Sequence, residues 1–152
     1  MQLSLENKTF VVMGVANKRS IAWGIAQSLD AAGARIIFTY ALDRNEKSIH
    51  ELAETLNRKD YLILQCDVES DEQIQSCFQT IKKEAGTIDG IAHCVAFARR
   101  EELKGDYTNV TREGFLLAHN ISSYSLSAIA KAVKELELMP NGGSIVTLTY
   151  LG

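Results

Sequence analysis

No run of apolar residues in this chain approaches the roughly 20 that a membrane-spanning helix needs, so no membrane partner is expected. The opening stretch MQLSLENK carries neither a basic leader nor a long apolar segment, which points to a cytoplasmic protein. Basic residues do not cluster either. RKD and IKK are too short to form a patch, and 16 Lys and Arg against 19 Asp and Glu leave a formal charge of -3, which argues against a nucleic-acid partner. Cysteine is sparse: Cys66, Cys77 and Cys94 are odd in number and widely spaced, and two sit in apolar runs, the usage of buried thiols rather than of disulfides or metal ligands. The histidines His50, His93 and His119 show no ligand spacing with cysteine or carboxylate, so no metal is expected. No linker, low-complexity tract or repeat divides the chain. With 46% hydrophobic and 23% charged residues over 152 positions, it reads as one globular domain, 1–152, with an ordinary core.

Short apolar runs alternate with amphipathic segments of helical length. TFVVMGV, RIIFTY, YLILQCDV, GIAHCVAFA and GSIVTLTYL are continuous rather than alternating in hydrophobicity, as strands covered on both faces require. Between them, residues 20–32 place Ile21, Ile25 and Leu29 on one helical stripe, with Gly33 as a C-terminal stop. Residues 43–57 and 70–84 form the next two helices, the second opened by a capping box of Ser70 and Gln73. One long helix is expected over 111–138, ended by Pro140 and the turn NGG. Five βα repeats specify the α/β class and a Rossmann-like, doubly wound parallel sheet.

The stretch GVANKRSIAWG, residues 14–24, lies between the first strand and the first helix. It has glycines at both ends of a polar loop yet fails the pattern G-x-G-x-x-G. At this place in a doubly wound fold, a helix N-terminus offers unpaired N–H groups and the positive end of its dipole, and glycine lets the backbone approach a pyrophosphate. Gly14 would permit the turn, and Ser20 would cap the helix or bond a phosphate. Ala22 and Gly24 would let the helix pack close to the sheet. Residue chemistry alone leaves a plain βα turn equally open, since one glycine motif is not specific.

The spacing G-x5-S-x-A-x-G resembles the cofactor loop of the enoyl-acyl carrier protein reductases of bacterial fatty acid synthesis, a divergent branch of the short-chain dehydrogenase/reductases. SIAWGIAQSL, LQCDV, HCVAFA, VTREGFLLAHNISSYS and LTYLG resemble that family's segments in order and separation, so the likeness spans essentially the whole chain. It implies five of the family's seven strands in the order 3-2-1-4-5. It also implies hydride transfer from NADH to the β-carbon of a trans-2-enoyl thioester carried by acyl carrier protein, in a homotetramer. By the same resemblance, Gly14, Ser20 and Ile21 face the pyrophosphate and nicotinamide side of the cofactor. Asp67 accepts from the adenine amino group with Val68 beside the ring, Val95 lies against ribose and nicotinamide, and Phe97 and Ala98 border the acyl pocket. Without the family, Asp67 is explained as a helix-leading carboxylate and Val95, Phe97 and Ala98 as core.

Cofactor choice hangs on the end of the second strand, where NAD enzymes often carry an acid and NADP enzymes a base. TYALDRNEK puts Ala41 there, with Asp43 two residues on and Arg44 and Lys47 one turn apart, within reach of a 2′-phosphate or simply on an exposed helix face. The family branch that prefers NADPH has adjacent basic residues nearer the strand end, so NADH is expected over NADPH. Asn120 is similar in position to an asparagine that interrupts the long helix of the wider superfamily and orders water toward a catalytic lysine; a surface residue explains it equally. Ser125, Ala128 and Ala132 form a small-residue stripe that suits a subunit interface or packing on the sheet.

The family stabilises the enolate with two tyrosines and a lysine. Tyr150 in LTYLG matches the first tyrosine, bordering the substrate, and is equally an aromatic at a strand end. By the resemblance, the second tyrosine and the lysine lie after Gly152. A dinucleotide-binding fragment without turnover is therefore the alternative, and the last strand is expected as an uncovered apolar edge. Another short-chain reductase, of the ketoacyl kind, is disfavoured because GVANKRSIAWG and HCVAFA stand where T-G-x3-G-x-G and N-N-A-G would be.

Overall fold

In the computed structural model, which describes residues 4–150, five parallel strands form one sheet. They are β1 (Thr9–Met13), β2 (Arg35–Tyr40), β3 (Leu62–Gln65), β4 (Gly90–His93) and β5 (Ser144–Thr147), in the spatial order β3-β2-β1-β4-β5. The Rossmann-like class and the strand order match expectation. The start of MQLSLENK, and Leu151 and Gly152 at the end of LTYLG, lie outside the described residues. Four strands are shorter than the apolar runs that announced them, because those runs continue into the loops that leave the sheet.

Central β1 shows why its run is continuous. Val11 and Met13 point into a core layer with Phe78, Ile81, Ile129 and Val133, whereas Val12 points into the opposite layer with Trp23, Ala26, Phe38 and Ile49. Both faces are dry there, so the buried positions Val11, Val12 and Met13 are all apolar. The second layer is covered by helices α1 (Ile21–Ala31) and α2 (Asp43–Ala53), the first by α3 (Asp71–Ala85) and α5 (Ser125–Glu135). Helix α4 (Arg112–His119) precedes α5.

Several local expectations are corrected. The buried face of α1 is Ala22, Trp23, Ala26 and Asp30, with Ile25 and Leu29 half-buried and Ile21 66% exposed, so the stripe is rotated from the one read off the sequence. A Cβ on Gly24 would meet nothing, so close approach to the sheet is the work of Ala22 and Ala26, not Gly24. Helix α2 stops at Ala53, short of residue 57, because the buried Asp30 carboxylate draws in the N–H groups of Asn57 (2.8 Å) and Arg58 (2.9 Å). The capping box is half-formed: Ser70 Oγ accepts from Gln73 N (3.2 Å), but the Gln73 side chain accepts from Asp67 N (3.1 Å) instead of reaching back to Ser70. The long helix is two helices joined by a π-helical turn, Asn120–Tyr124. It ends at Glu135, before Pro140, because Glu137 takes a φ of 48° and turns Leu138 into the core, where its carbonyl accepts from Ile88 N at 2.9 Å.

Candidate functional site

The chain runs from β1 outward to β2 and β3, then returns to place β4 and β5 on the other side. The sheet's switch point therefore lies between the carboxyl ends of β1 and β4, the place where open α/β sheets bind ligands. Two loops meet there. Cys94 N bonds Met13 O at 3.2 Å, and Gly14 turns away with a φ of 94°. A Cβ on Gly14 would overlap the Cys94 carbonyl, so glycine is required by conformation and by space at once.

The next residues form a closed polar loop. Ser20 Oγ accepts from Ala16 N (3.0 Å) and Asn17 N (3.1 Å), Asn17 Oδ1 accepts from Arg19 N (2.8 Å), and Ser48 on α2 donates to Ala16 O (3.3 Å). Ser20 stands at the N-cap of α1 but makes no cap bond, so the expected capping role is replaced by closure of the loop. Among the described residues nothing accepts from the N–H groups of Ile21 and Ala22, and the first turn of α1 has no acidic residue. An open cleft of about 590 Å³ lined by Asn17, the exposed Lys18 and Arg19, and Ser20 immediately precedes these two free donors at the positive end of the α1 dipole, a setting suited to an anion.

The opposite wall follows β4. Val95 is half-buried against the core, Phe97 is 48% exposed and Ala98 half-buried. Phe97 is pinned through its backbone: its N–H donates to Ser122 Oγ (3.0 Å), and the Ser122 hydroxyl donates to its carbonyl (3.2 Å). Ser122 belongs to the π turn, whose first residue, Asn120, is half-buried. Such turns recur where a helix must present groups to a site.

Asp67 and Val68 follow β3, separated from Gly14 by β2. Val68 is buried; Asp67 is half-buried, with Oδ1 accepting from Glu69 N (3.0 Å) and no partner for Oδ2 among the described residues. At the end of β2, Ala41 is exposed, Asp43 accepts from Gln65 Nε2 (3.0 Å), and Lys47 sits 3.9 Å from Glu51. Tyr150, beyond β5, is 97% exposed. Gly14 and Val95 thus follow neighbouring strands at the switch point, with Ser20 and Ile21 further along the chain from β1 and Phe97 and Ala98 from β4; Asp67 and Val68 lie two strands to one side, and Tyr150 follows the edge strand β5.

Three features escaped the sequence analysis. His93, at the end of β4, is buried and bonded to Ser125 and Thr147; its signal was a lone polar residue inside an apolar run. The Ser122 clamp on Phe97 left no periodic trace. Neither did the ties from the loop after Phe97 to α4, namely Arg99 to Glu113 at 2.8 Å and the Glu102 carboxylate on Thr111, which Gly114 makes room for. Cys66 and Cys77 are buried thiols as read, whereas Cys94 is half-buried; the adjacent Cys66 sulfur and burial push the Cys77 thiol up, and burial pushes up Cys94, so both of these stay neutral.

A family model described as enoyl-(acyl carrier protein) reductase matches residues 14–152. A Bacillus subtilis (strain 168) protein named enoyl-acyl-carrier-protein reductase (NADH) FabI is 65% identical over 152 residues, covering 100% of this chain and 58% of that protein. A Staphylococcus aureus (strain NCTC 8325) protein named as the NADPH form is 52% identical over 150 residues, covering 99% of this chain and 58% of that protein. The crystal structure of Bacillus cereus enoyl-acyl carrier protein reductase with NADP+ and indole naphthyridinone superposes with a TM-score of 0.93 at 58% identity, over 99% of this chain and 58% of that one. The chain spans 58% of the length of these relatives. With the sheet order, the loop at the switch point and these identities in agreement, the chain belongs to the enoyl-acyl carrier protein reductase family.

Proposed function

We propose that this chain is the dinucleotide-binding part of an NADH-dependent enoyl-acyl carrier protein reductase, acting on trans-2-enoyl thioesters in fatty acid synthesis. The observation that carries this is the loop at Gly14: it has no room for a Cβ and leads, through the closure made by Ser20, to two free N–H groups at the start of α1. That cradle fits a pyrophosphate.

Bound NADH would supply the hydride for the β-carbon. Gly14, Ser20 and Ile21 would hold the pyrophosphate, Asp67 through its free oxygen would accept from the adenine amino group, and Val68 would lie on the ring. Val95 would shield the nicotinamide from water, and Phe97 and Ala98 would line the acyl chain. As the β-carbon takes the hydride, negative charge collects on the thioester oxygen and needs a donor there. Tyr150 would border that oxygen, with the direct donor and the lysine at positions the resemblance puts after residue 152.

NADH is favoured over NADPH because Ala41 offers a 2′-phosphate no charge and Lys47 is drawn to Glu51. The partners proposed are the acyl carrier protein that delivers the substrate and further copies of this chain, as a tetramer. The outward face of α4 supports self-association, with Phe115 43% and Leu116 61% exposed. The stripe of Ser125, Ala128 and Ala132 does not serve it, since Ser125 and Ala132 are buried in the core. Among the described residues no helix is long and apolar enough to cross a membrane, and the proposed location is the cytoplasm.

The test is oxidation of NADH by the protein as its source makes it, with a 2-enoyl and a 3-ketoacyl thioester side by side. Oxidation with the enoyl substrate is expected. Oxidation with the ketoacyl substrate alone would overturn the proposal, and NADH binding with no oxidation would mark a non-catalytic dinucleotide-binding chain.

A further inference from the structure

His93 is 1% exposed, and both of its ring nitrogens are used: Nδ1 lies 2.9 Å from Thr147 Oγ1 and Nε2 lies 2.8 Å from Ser125 Oγ. The Ser125 hydroxyl has one proton, and it donates this to the Ile121 carbonyl at 2.7 Å. It must therefore accept from His93. The ring is fixed as the Nε2–H tautomer, and Nδ1 accepts the Thr147 hydroxyl proton. One directed chain of hydrogen bonds results, from Thr147 on β5, through His93 on β4, to Ser125 and the backbone of the π turn. Burial holds the ring pKa below the ordinary histidine value, so a single neutral form persists at neutral pH.

Each end of this chain leads to a different wall of the proposed site. Thr147 stands three residues before Tyr150 on the same emerging segment. Ile121 sits between Asn120 and Ser122, and Ser122 grips the backbone of Phe97. His93 itself stands two residues before Val95. A π turn carries one residue more than an α turn, so its carbonyls lack the usual register of donors. The Ser125 hydroxyl bonds one of them, and His93 holds that hydroxyl in place.

We propose that His93 is a positioning residue for the proposed hydride transfer, bonding the π turn through Ser125 and β5 through Thr147 so that the Phe97 wall and the Tyr150 segment keep one spacing. This rests on the enoyl reductase function above. The node's side-chain bonds run toward β5 and the π turn, away from the β1 loop and from Asp67. Its loss should therefore slow the chemical step without weakening the grip on the cofactor.

The experiment is a set of substitutions in the protein as its source makes it. His93→Asn keeps an amide near the Nδ1 position and thus the Thr147 arm; His93→Gln keeps one near Nε2 and thus the Ser125 arm. Each is expected to lower kcat for the enoyl thioester about tenfold with KM for NADH unchanged, the loss of one buried hydrogen bond seen only in the rate. His93→Asn and Ser125→Ala cut the same arm, so the double variant should be no slower than the slower single one. A drop in the unfolding midpoint with kcat per cofactor-binding site unchanged, or an equal loss of NADH affinity, would overturn the proposal. Should the His93 variants fail to fold, Ser125→Ala and Thr147→Val remove the arms from their far ends. Hydrogen exchange reads the linkage without turnover: His93→Leu, which removes both arms, should speed exchange at residues 120–126 and 144–147 together, leaving 35–40 and 62–65 unchanged. Exchange raised at only one of the two segments, or everywhere, would overturn it. Absence of enoyl reduction by the native protein would instead sink the functional proposal and leave this exchange result to decide on His93.

Discussion

Gly14 and Ser20 act on the same few backbone atoms by opposite means. Gly14 has no side chain, and that is its contribution: at a φ of 94° any L-residue is strained by roughly 1–2 kcal/mol, and a Cβ would also overlap the Cys94 carbonyl. Gly14→Ala is therefore expected to cost about 3 kcal/mol or more in urea unfolding, and to abolish measurable NADH binding by fluorescence. Ser20 contributes two hydrogen bonds accepted from Ala16 and Asn17. Ser20→Ala should leave the fold intact, at a cost of about 1 kcal/mol, while loosening the loop and weakening NADH about tenfold. Unchanged NADH affinity in that variant would show that the loop holds its shape without the hydroxyl. Gly14 was legible in the sequence as a turn glycine after an apolar strand, and its place in a cofactor loop came from the resemblance. The reason it is indispensable was not legible, since Cys94 arrives from another strand. For Ser20 the sequence left capping and phosphate bonding open; the structure removes the cap, and nothing local reveals that the serine oxygen faces backward into the loop.

Elements were read well where one period ran unbroken, and less well where two geometries share one period. Residues 111–138 look like a single helix because a π turn inserts only one residue, which rotates the pattern by about 100° without breaking its amphipathic look. What marks the change is polar: Asn120, Ser122 and Ser125 cluster there, and two of them bond across to the β4 loop or β4 itself. The His93 node at this turn gives the element a pH dependence. Burial sets the folded pKa of His93 below its ordinary value of 6.5, so between the two values the unfolded chain binds more protons. Its contribution to stability is thus complete above about pH 6.5 and is lost as pH falls toward the folded pKa, at no more than about 1.4 kcal/mol per pH unit. Urea unfolding across that range should show the slope, and His93→Asn should flatten it. An unchanged slope in the variant would assign the pH dependence to another group.

At the scale of the whole molecule, the strand order implied by the resemblance is the one observed, one of the arrangements that right-handed crossovers leave to a doubly wound sheet. Apolar content, however, says how much surface wants cover and not what covers it. β5 lies in a run as apolar as those of the inner strands, and, as expected of an uncovered edge, all four of its residues are exposed, as are Phe115 and Leu116 on α4. The two surfaces differ in kind. β5 presents an open edge with Ile145 37%, Val146 50% and Leu148 46% exposed, the place where the seven-strand sheet implied by the resemblance would continue. The α4 face is already hydrogen-bonded within its own helix and offers side chains alone, which suits docking against another folded surface. That distinction makes the tetramer proposal testable at a point remote from the cofactor loop. Leu116→Glu places a charge in the middle of the proposed contact and should lower the sedimentation mass, with NADH affinity per chain unchanged because Gly14 and α1 lie on other elements. An unaltered mass would remove α4 from the interface and return the search for the subunit contact to other exposed apolar residues, such as Leu42, Leu103, Tyr107 and Tyr124.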